Sequence, residues 1–529
     1  MNSTIDRSED SRRLHHIGGM GDWLTVHRRQ RPDQTALIFE GLHESYAQLD
    51  ERCNRLAQAL ASRGAQKGDR VAALLLNGNP FIEALFACAK LGALFVPINY
   101  RLSPGEIHFI LEDASARVLF YHDDFAATVE NARADSPVEH AIIVPRSIAE
   151  AGPGDERYES LLEAGEDRNP DVEIDQNDAC LMMYTSGTTG RPKGAILSHG
   201  NMTWHCVNTL LSPAEVNTDD VVLTVAPLFH IGGLNIFSIP ALHRGATVVL
   251  HAQFDPVATL ASIAQERASM LFMVPAMWQA LTQVPDFDRY DVTSLTTGLT
   301  GGAACPIPVI EFFQDRGINF IEGFGLTETA PSICVLESKD AVRKNGSVGK
   351  PLTLSTLQIF DAEHQPVAAG EIGELVVRGP SVFEGYWNRP EATAEAFANG
   401  WFHTGDLARV DEEGFFYIVD RKKDMLISGG ENVYPTEVEQ VLYRHPSIRD
   451  IAVLGVPDER WGEVALAVVV PEPGQHVTLE ELRNFCRDQL ASFKIPKQLI
   501  ELDALPRTAT GKVLKRELRA QAMESKPSD

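Results

Sequence analysis

The feature that most constrains the fold of this 529-residue chain is an alternation of helix-like and strand-like segments that end at glycines. Residues 46–69 show it first. Apolar side chains recur at helical spacing from Leu49 to Leu60, glycines follow, and the apolar run RVAALLL comes next. The same order returns at residues 254–280 and 306–326. Such alternation is typical of α/β construction, so we predict a large N-terminal domain of mixed and parallel sheets with helices.

A charge cluster near residue 420 indicates where this large domain ends. The sequence Asp-Arg-Lys-Lys-Asp occupies positions 420–424, directly after the apolar stretch GFFYIVD. The pattern beyond it predicts a small α+β domain with helices at 435–445 and 478–490 and strands at 450–456 and 463–470. A chain of this length exceeds what one hydrophobic core supports, so we place the two domains at residues 1–420 and 421–529.

Charge and cysteine content exclude several classes of protein. The formal net charge is -26, whereas a nucleic-acid-binding surface must be basic. The seven cysteines include no C-x-x-C pair, which argues against a disulfide framework or a zinc site. The N-terminal residues are polar, unlike a secretory signal, and no apolar run approaches the roughly 18 residues of a membrane span. We therefore expect a cytoplasmic protein without a transmembrane segment.

The stretch YTSGTTGRPKGA, residues 184–195, has the composition of a phosphate-binding loop. Its glycines permit close backbone approach, its hydroxyls and amides can donate to phosphate oxygens, and Lys193 adds a positive charge. It does not match the P-loop pattern, because Pro192 precedes the lysine and Gly194 follows it. Strand-like sequences on both sides predict a β-hairpin loop. From composition alone, a plain flexible surface loop remains the alternative.

This stretch resembles the signature of the adenylate-forming enzymes, which include acyl- and aryl-CoA synthetases, luciferases and peptide-synthetase adenylation domains. Four further motifs match that family in its order, and the resemblance extends from about Tyr46 to Leu518. They are GFGLTETAPS (323–332), GELVVRGPSVFEGYWNRPEAT (373–393), GWFHTGDLARVDEEGFFYIVDRKKDMLISGGENVYPTEVE (400–439) and PRTATGKVLKREL (506–518).

The resemblance implies that ATP and a carboxylic acid give an acyl-adenylate and pyrophosphate, and that CoA then takes the acyl group, with Mg²⁺ as cofactor. Both reactants of the first step are anions, so positioning and charge neutralisation would be the protein's main contribution. Glu328 and Thr185 are the implied metal ligands, and Asp406 would accept the ribose hydroxyls. The GGAA stretch at 301–304 and Phe324 would form the adenine slot, since an aromatic face and small residues suit a purine. The residues implied to bind ATP are Thr185, Ser186, Gly187, Thr188, Thr189, Lys193, Gly302, Ala303, Gly323, Phe324, Thr327, Asp406, Arg421 and Lys512.

Three further roles in the small domain follow from the same resemblance. Lys512 would be the catalytic cation that spans the substrate carboxylate and the nucleotide, although a basic run of this kind is ordinarily a solvated helix face. Lys423 lies at the hinge about which the small domain would turn between the two half-reactions. Gly429 and Gly430 would line the CoA tunnel, and a plain turn is the alternative interpretation.

The acid-binding pocket is implied at His230, Gly232, Gly233 and Asn235, with His230 counted as catalytic beside Lys512 and Thr327. A lone histidine in an apolar run is ordinarily a core residue, so this assignment depends on the motif. The two glycines would leave space, which favours a medium- or long-chain fatty acid as substrate. The alternative is a hydroxycinnamic or other aryl acid, because residues 184–208 also resemble bacterial feruloyl-CoA ligases.

Other functions remain open at this point. A peptide-synthetase adenylation domain is disfavoured because no carrier domain follows Asp529, and a luciferase-like oxygenase shares the implied fold. A non-catalytic nucleotide-binding protein would not need Lys512. The expected partners are the acid, ATP and CoA and no nucleic acid, while a homodimer and a weak peripheral membrane contact are left open.

Overall fold

The computed structural model describes residues 18–145, 155–185, 191–458, 460–487, 489–507 and 513–524. The chain forms two compact units. One runs to Leu357 and takes in Val377–Phe402, and the other comprises Gln358–Val376 and the residues from His403 onward. The predicted domain boundary at residue 420 lies inside the second unit and stays a prediction.

The first unit contains two large sheets in which most neighbouring strands are parallel. In the described part of the chain, one sheet has the strand order Lys350–Pro351, Ser332–Leu336, Asn319–Gly325, Thr297–Gly301, Met270–Met273, Val221–Thr224, Thr247–Leu250, Thr35–Phe39 and Leu42–Ser45. The other has the order Gly385–Tyr386, Lys193–Ser198, Ala179–Thr185, Leu94–Pro97, Arg70–Leu74, Val118–His122, His140–Val144 and Glu156–Arg157. Antiparallel pairs lie at the edges, which gives the mixed sheets that the alternating pattern predicts.

Helices connect these strands and bury their apolar faces. The helix Tyr46–Ser62 begins at a Ser45 capping box and buries Leu49, Cys53, Leu56 and Leu60, as their spacing predicts. The described α-helices of this unit are Asp22–Gln30, Tyr46–Ser62, Asn79–Leu91, Pro104–Ala114, Ala126–Arg133, Tyr158–Ala164, His199–Leu210, Ile231–Gly233, Ile239–Arg244, Pro256–Glu266, Pro275–Thr282, Ile307–Gln314, Ser338–Ala341 and Pro390–Ala396. Short 3₁₀ turns lie at Asp123–Phe125, Phe287–Arg289 and Thr327–Thr329, and a π-helical turn at Leu234–Ser238.

A third sheet is built from residues 356–421, and its described strands are Thr356–Phe360, Gly373–Arg378, Trp401–Val410, Phe397–Ala398 and Phe416–Arg421. A fourth sheet lies wholly in the second unit and has the described strands Glu431–Val433, Leu426–Ser428, Gly462–Pro471, Ile448–Asp458 and Gln498–Glu501. Its described helices are Pro435–Leu442, Leu479–Cys486 and Lys515–Glu524. The capping box predicted at Thr478 is present, and the helix it starts ends at Cys486.

The fold class predicted from the sequence is confirmed: a large α/β domain of mixed and parallel sheets with a small α+β domain after it. All seven cysteines are buried and unpaired. Among the described residues, no helix is both long enough and apolar enough to cross a membrane.

Candidate active site

The predicted phosphate loop joins two antiparallel strands, as the sequence indicated. Ala179–Thr185 pairs with Lys193–Ser198, and Thr185 lies directly opposite Lys193. The Thr185 hydroxyl donates to the Lys193 carbonyl at 3.5 Å. Four predicted phosphate ligands, Ser186, Gly187, Thr188 and Thr189, lie outside the described residues. Thr185 and Lys193 therefore mark the two ends of the loop.

Glu328, the predicted metal ligand, is buried in the turn Thr327–Thr329 that follows the strand Asn319–Gly325. Its carboxylate Oε1 accepts a hydrogen bond of 2.9 Å from the Tyr386 hydroxyl. Its backbone carbonyl accepts one of 2.9 Å from the Phe383 amide. Among the described residues, the other carboxylate oxygen has no hydrogen-bond partner. The carboxylate is thus fixed in orientation through one oxygen.

The donor set around Glu328 fits a magnesium ion that is carried by a triphosphate. The described residues contain no group of three or more His, Cys, Asp or Glu side chains that could hold a metal ion by themselves. Mg²⁺ commonly takes one or two protein carboxylates and completes its shell with phosphate oxygens and water. Glu328 supplies the hard oxygen that such an ion requires, and Thr185 keeps its predicted metal role as a prediction.

The predicted adenine slot forms where two parallel strands end side by side. Gly301 pairs with Gly323 across these strands, and Gly302 and Ala303 follow directly after this pair. A Cβ atom on Gly301 would lie only 2.8 Å from the Gly323 carbonyl oxygen, so this close approach requires glycine. Gly302 has a φ of 86°, which also favours glycine. The structure thus places the start of the GGAA stretch against the strand that carries Phe324, and the adenine role of these residues stays a prediction.

A buried carboxyl group lies next to this slot and was not predicted. Glu322, on the same strand as Gly323, accepts a hydrogen bond of 3.1 Å from the Cys305 amide. Burial raises the pKa of Glu322 to about 7. Its carboxyl group therefore anchors the segment that follows Ala303.

The glycines of the predicted acid pocket pack closely against other groups and leave no open space. A Cβ atom on Gly232 would lie 3.2 Å from the Phe272 ring and 3.3 Å from Nδ1 of His230. A Cβ atom on Gly233 would lie 2.2 Å from the Pro227 carbonyl oxygen. The expectation that the two glycines make room for a long acyl group is therefore wrong, because a ring and a backbone segment fill that room.

Two other predicted pocket residues are held by hydrogen bonds. His230 Nδ1 accepts from the Gly232 amide at 3.2 Å, which fixes its ring beside the Phe272 ring. Asn235 lies in the π-helical turn and is fully buried, and its amide donates to the Ala330 carbonyl just after the Glu328 turn. Asn235 therefore supports the position of that turn.

In the second unit, the predicted ribose residues meet. Asp406 and Arg421 are opposite partners on two antiparallel strands, and Arg421 Nε lies 2.7 Å from Asp406 Oδ1. Asp406 is 2% exposed, so its negative charge is held in the protein by this arginine. The sequence analysis assigned both residues to ATP and not to each other, and their role toward the nucleotide stays a prediction.

The remaining predicted residues of this unit are not all described. Lys423 is exposed in the turn after the strand Phe416–Arg421. Gly429 and Gly430 form the two-residue turn of a hairpin, with φ angles of 63° and 88°. A Cβ atom on Gly429 would meet the Trp461 ring at 2.7 Å, whereas one on Gly430 would meet nothing within 4 Å. Lys512 lies outside the described residues.

Three residues beside these groups escaped the sequence analysis: Tyr386, Phe272 and Glu322. Tyr386 lies inside the matched motif of residues 373–393, so the sequence offered a signal without a role. Phe272 and Glu322 lie on apolar strands, where an aromatic residue or a single acid carries no local signature.

Comparisons with known proteins found two family models that match this chain. A family model described as "AMP-binding enzyme" matches residues 24–387, and one described as "AMP-binding enzyme C-terminal domain" matches residues 437–512. The chain is 44% identical to a feruloyl-CoA synthase from Amycolatopsis over 95% of this chain and 98% of that protein. It is 38% identical to the long-chain-fatty-acid–CoA ligase FadD13 of Mycobacterium tuberculosis, over 91% of this chain and 94% of that protein.

A solved structure extends the comparison to bound ligands. The O-succinylbenzoate coenzyme A synthetase MenE from Bacillus subtilis, in complex with ATP and magnesium ion, is 34% identical to this chain. The alignment covers 94% of this chain and 99% of that chain, with a TM-score of 0.82.

Proposed function

Because the chain belongs to the family of AMP-binding enzymes and is an AMP-forming acid–thiol ligase, we propose that its acid substrate is an aryl acid of the hydroxycinnamate class. ATP and the acid give an acyl-adenylate and pyrophosphate, and the CoA thiol then takes the acyl group and releases AMP.

The observation that carries the aryl substrate is the position of the Phe272 ring. One side of the Phe272 ring packs against Gly232, beside His230. The other side faces Gly301, where a Cβ atom would lie 3.7 Å from the ring. The ring is partly exposed, so it presents an aromatic surface between the predicted acid pocket and the predicted adenine slot. Aromatic rings prefer offset-stacked or edge-to-face contacts with other rings, which suits a flat aryl group. The 44% identity to a feruloyl-CoA synthase supports the same class.

We assign the chemical roles to residues of the matched motifs. Thr185 and Lys193 hold phosphate oxygens, Thr327 contacts the α-phosphate, and Glu328 supplies a carboxylate oxygen to Mg²⁺. When bound, this ion would neutralise charge on the phosphates. Asp406, with Arg421, accepts the ribose hydroxyls, and Lys512 is the cation that stabilises charge developing during adenylation.

A medium- or long-chain fatty acid is the second candidate substrate. The observation in its favour is the 38% identity to a long-chain-fatty-acid–CoA ligase over nearly the whole chain. The space expected beside Gly232 and Gly233 no longer favours a fatty acid, because both glycines are closely packed.

The test is pyrophosphate release with a panel of acids, followed by thioester formation with CoA. Ferulate, p-coumarate and cinnamate should give a higher kcat/KM than octanoate, decanoate and palmitate. A preference for the aliphatic acids would replace the aryl assignment by the fatty-acid one. Tight ATP binding without pyrophosphate release from any acid would favour the non-catalytic nucleotide-binding alternative.

The roles proposed for Lys512 and Gly430 separate the two half-reactions. Lys512→Ala should slow adenylation by roughly 10²–10³-fold, the worth of one electrostatic contact to developing charge, and should spare thiolation of synthetic acyl-adenylate. Gly430→Leu should spare adenylation and slow thiolation. Its added side chain would occupy open space that the CoA thiol is predicted to pass through. Equal loss of both half-reactions in each variant would contradict these assignments.

A further inference from the structure

Tyr386 lies between two residues of the proposed phosphate and metal site. Its hydroxyl donates to Glu328 Oε1 at 2.9 Å, and Lys193 Nζ lies 4.7 Å from the centroid of its ring. A cation over an aromatic face is attracted by the ring electrons, and a hydroxyl bond to a carboxylate is charge-assisted. One side chain thus contacts the cation and the carboxylate through different parts of the same ring.

The backbone around Tyr386 is joined to both of these neighbours. Tyr386 pairs with Ala195 on the strand that begins at Lys193, and the Trp387 amide donates to the Gly194 carbonyl at 2.8 Å. On the other side, the Phe383 amide donates to the Glu328 carbonyl at 2.9 Å. We call residues 383–387 the bridging segment, since its hydrogen bonds fix the distance between the lysine strand and the Glu328 turn.

The ring of Tyr386 keeps opposite charges available for ligands. Within the described part of the chain, neither Lys193 nor Glu328 has an ion-pair partner, and Tyr386 contacts both. A direct lysine–glutamate pair would neutralise the two charges that a metal–triphosphate complex needs. The half-buried ring also packs against Phe383, with 4.9 Å between ring centroids, which restricts its rotation.

We propose that Tyr386 is a positioning residue that orients the Glu328 carboxylate toward a divalent cation and holds the Lys193 ammonium for phosphate. This inference rests on the proposed function, because it takes Lys193 and Glu328 as ligands of the metal–ATP complex. Tyr386 itself touches neither substrate nor metal in this account.

The test separates the hydroxyl from the ring. Tyr386→Phe keeps the ring under Lys193 and removes the bond to Glu328, whereas Tyr386→Leu removes both. Binding of Mn²⁺ is measured by electron paramagnetic resonance in the presence of α,β-methylene-ATP, which cannot be adenylated. The Phe variant should bind Mn²⁺ about ten-fold more weakly, the worth of one hydrogen bond to a charged group. Its affinity for the nucleotide without metal should be unchanged, and the Leu variant should lose affinity for both.

Tyr417 is a matched control in the second unit. Its hydroxyl donates to the Asp411 carboxylate at 3.2 Å, and the Arg409 guanidinium lies 4.2 Å from its ring centroid, so it has the same three-group arrangement. Tyr417→Phe and Tyr417→Leu should leave Mn²⁺ and nucleotide affinity unchanged. A double-mutant cycle with Glu328→Ala completes the design, because Tyr386→Phe should add nothing once the carboxylate is gone.

The outcomes distinguish this inference from the proposed function. If wild-type protein binds Mn²⁺ with the nucleotide and Tyr386→Phe binds it equally well, the positioning role is overturned and the ligase function stands. Full additivity with Glu328→Ala, or an equal loss in Tyr417→Phe, would also overturn it. If wild-type protein binds no metal–nucleotide complex and releases no pyrophosphate, the proposed function itself fails and takes this inference with it.

Discussion

At the scale of single residues, Phe272 is the side chain on which the proposed substrate class depends. Phe272→Leu nearly conserves volume and removes the aromatic surface beside His230. Because an aromatic pair contributes about 0.5–1.5 kcal/mol beyond the area it buries, kcat/KM for ferulate should fall about 3- to 10-fold. The value for decanoate should stay level or rise. Phe312→Leu is the control, since Phe312 is also partly exposed and packs against Arg316. An equal fall in kcat/KM for ferulate and decanoate would show that Phe272 does not select the aryl group in the acid pocket.

The pair Asp406–Arg421 allows the proposed ribose contact to be tested by changing the ligand as well as the protein. Wild-type enzyme should prefer ATP over 2′-deoxy-ATP, because a hydroxyl bonded to a carboxylate is worth about 10- to 100-fold in kcat/KM. Asp406→Asn should lower kcat/KM for ATP and reduce the preference for ATP over 2′-deoxy-ATP. Asp503→Asn, an exposed site in the same unit, should change neither. An Asp406→Asn enzyme that keeps the full preference would show that this carboxylate does not contact the ribose hydroxyl.

At the scale of elements, alanine variants of the hairpin turn Gly429–Gly430 distinguish the cost of backbone strain from the cost of a steric clash. Both residues have positive φ, so replacing either by alanine should cost about 1 kcal/mol in the free energy of unfolding. Gly429→Ala should cost more, because its Cβ atom would meet the Trp461 ring. Urea unfolding of the two variants checks this order, with Gly474→Ala as a control at positive φ in open space. Equal costs at Gly429 and Gly430 would mean that Trp461 moves aside freely.

Local sequence pattern predicted most elements because helical spacing and glycine stops act over a few residues. The helix Tyr46–Ser62 and the strand pair around the Gly-rich loop are examples. The order of strands could not be predicted, since Thr35–Phe39 pairs with Thr247–Leu250 across some two hundred residues. The same limit applies to the site: Asp406 and Arg421 belong to a matched motif, whereas the contact of Tyr386 with Glu328 exists only in the folded chain.

At the scale of the whole molecule, a buried acidic cluster in the first unit links stability to pH. Glu44 accepts a hydrogen bond from Asn79, and Arg52 lies between Glu44 and Glu83 while also pairing with the exposed Glu159. Burial, followed by the neighbouring charge of Glu83, raises the pKa of Glu44 from 4.5 to about 8. Burial also raises the pKa of Glu83, whose carboxylate accepts from the Tyr158 hydroxyl. One arginine therefore serves two buried carboxyl groups.

The sign of the effect follows from which state holds the proton. Well below pH 4.5 Glu44 is protonated in both states, and well above pH 8 it is ionised in both. Between these values the unfolded chain releases a proton that the folded protein keeps, so stability falls as pH rises, by up to about 1.4 kcal/mol per pH unit. Glu44→Gln keeps an acceptor for Asn79 and removes this titration. Its unfolding free energy should therefore exceed that of wild type by an amount that grows between pH 5 and pH 8. Glu159 is exposed and pairs with the same arginine, Arg52. Glu159→Gln should therefore change the free energy of unfolding by less than about 1 kcal/mol at both pH 5 and pH 8. A gain for Glu44→Gln that is the same at both pH values would mean that packing, and not the buried proton, accounts for it.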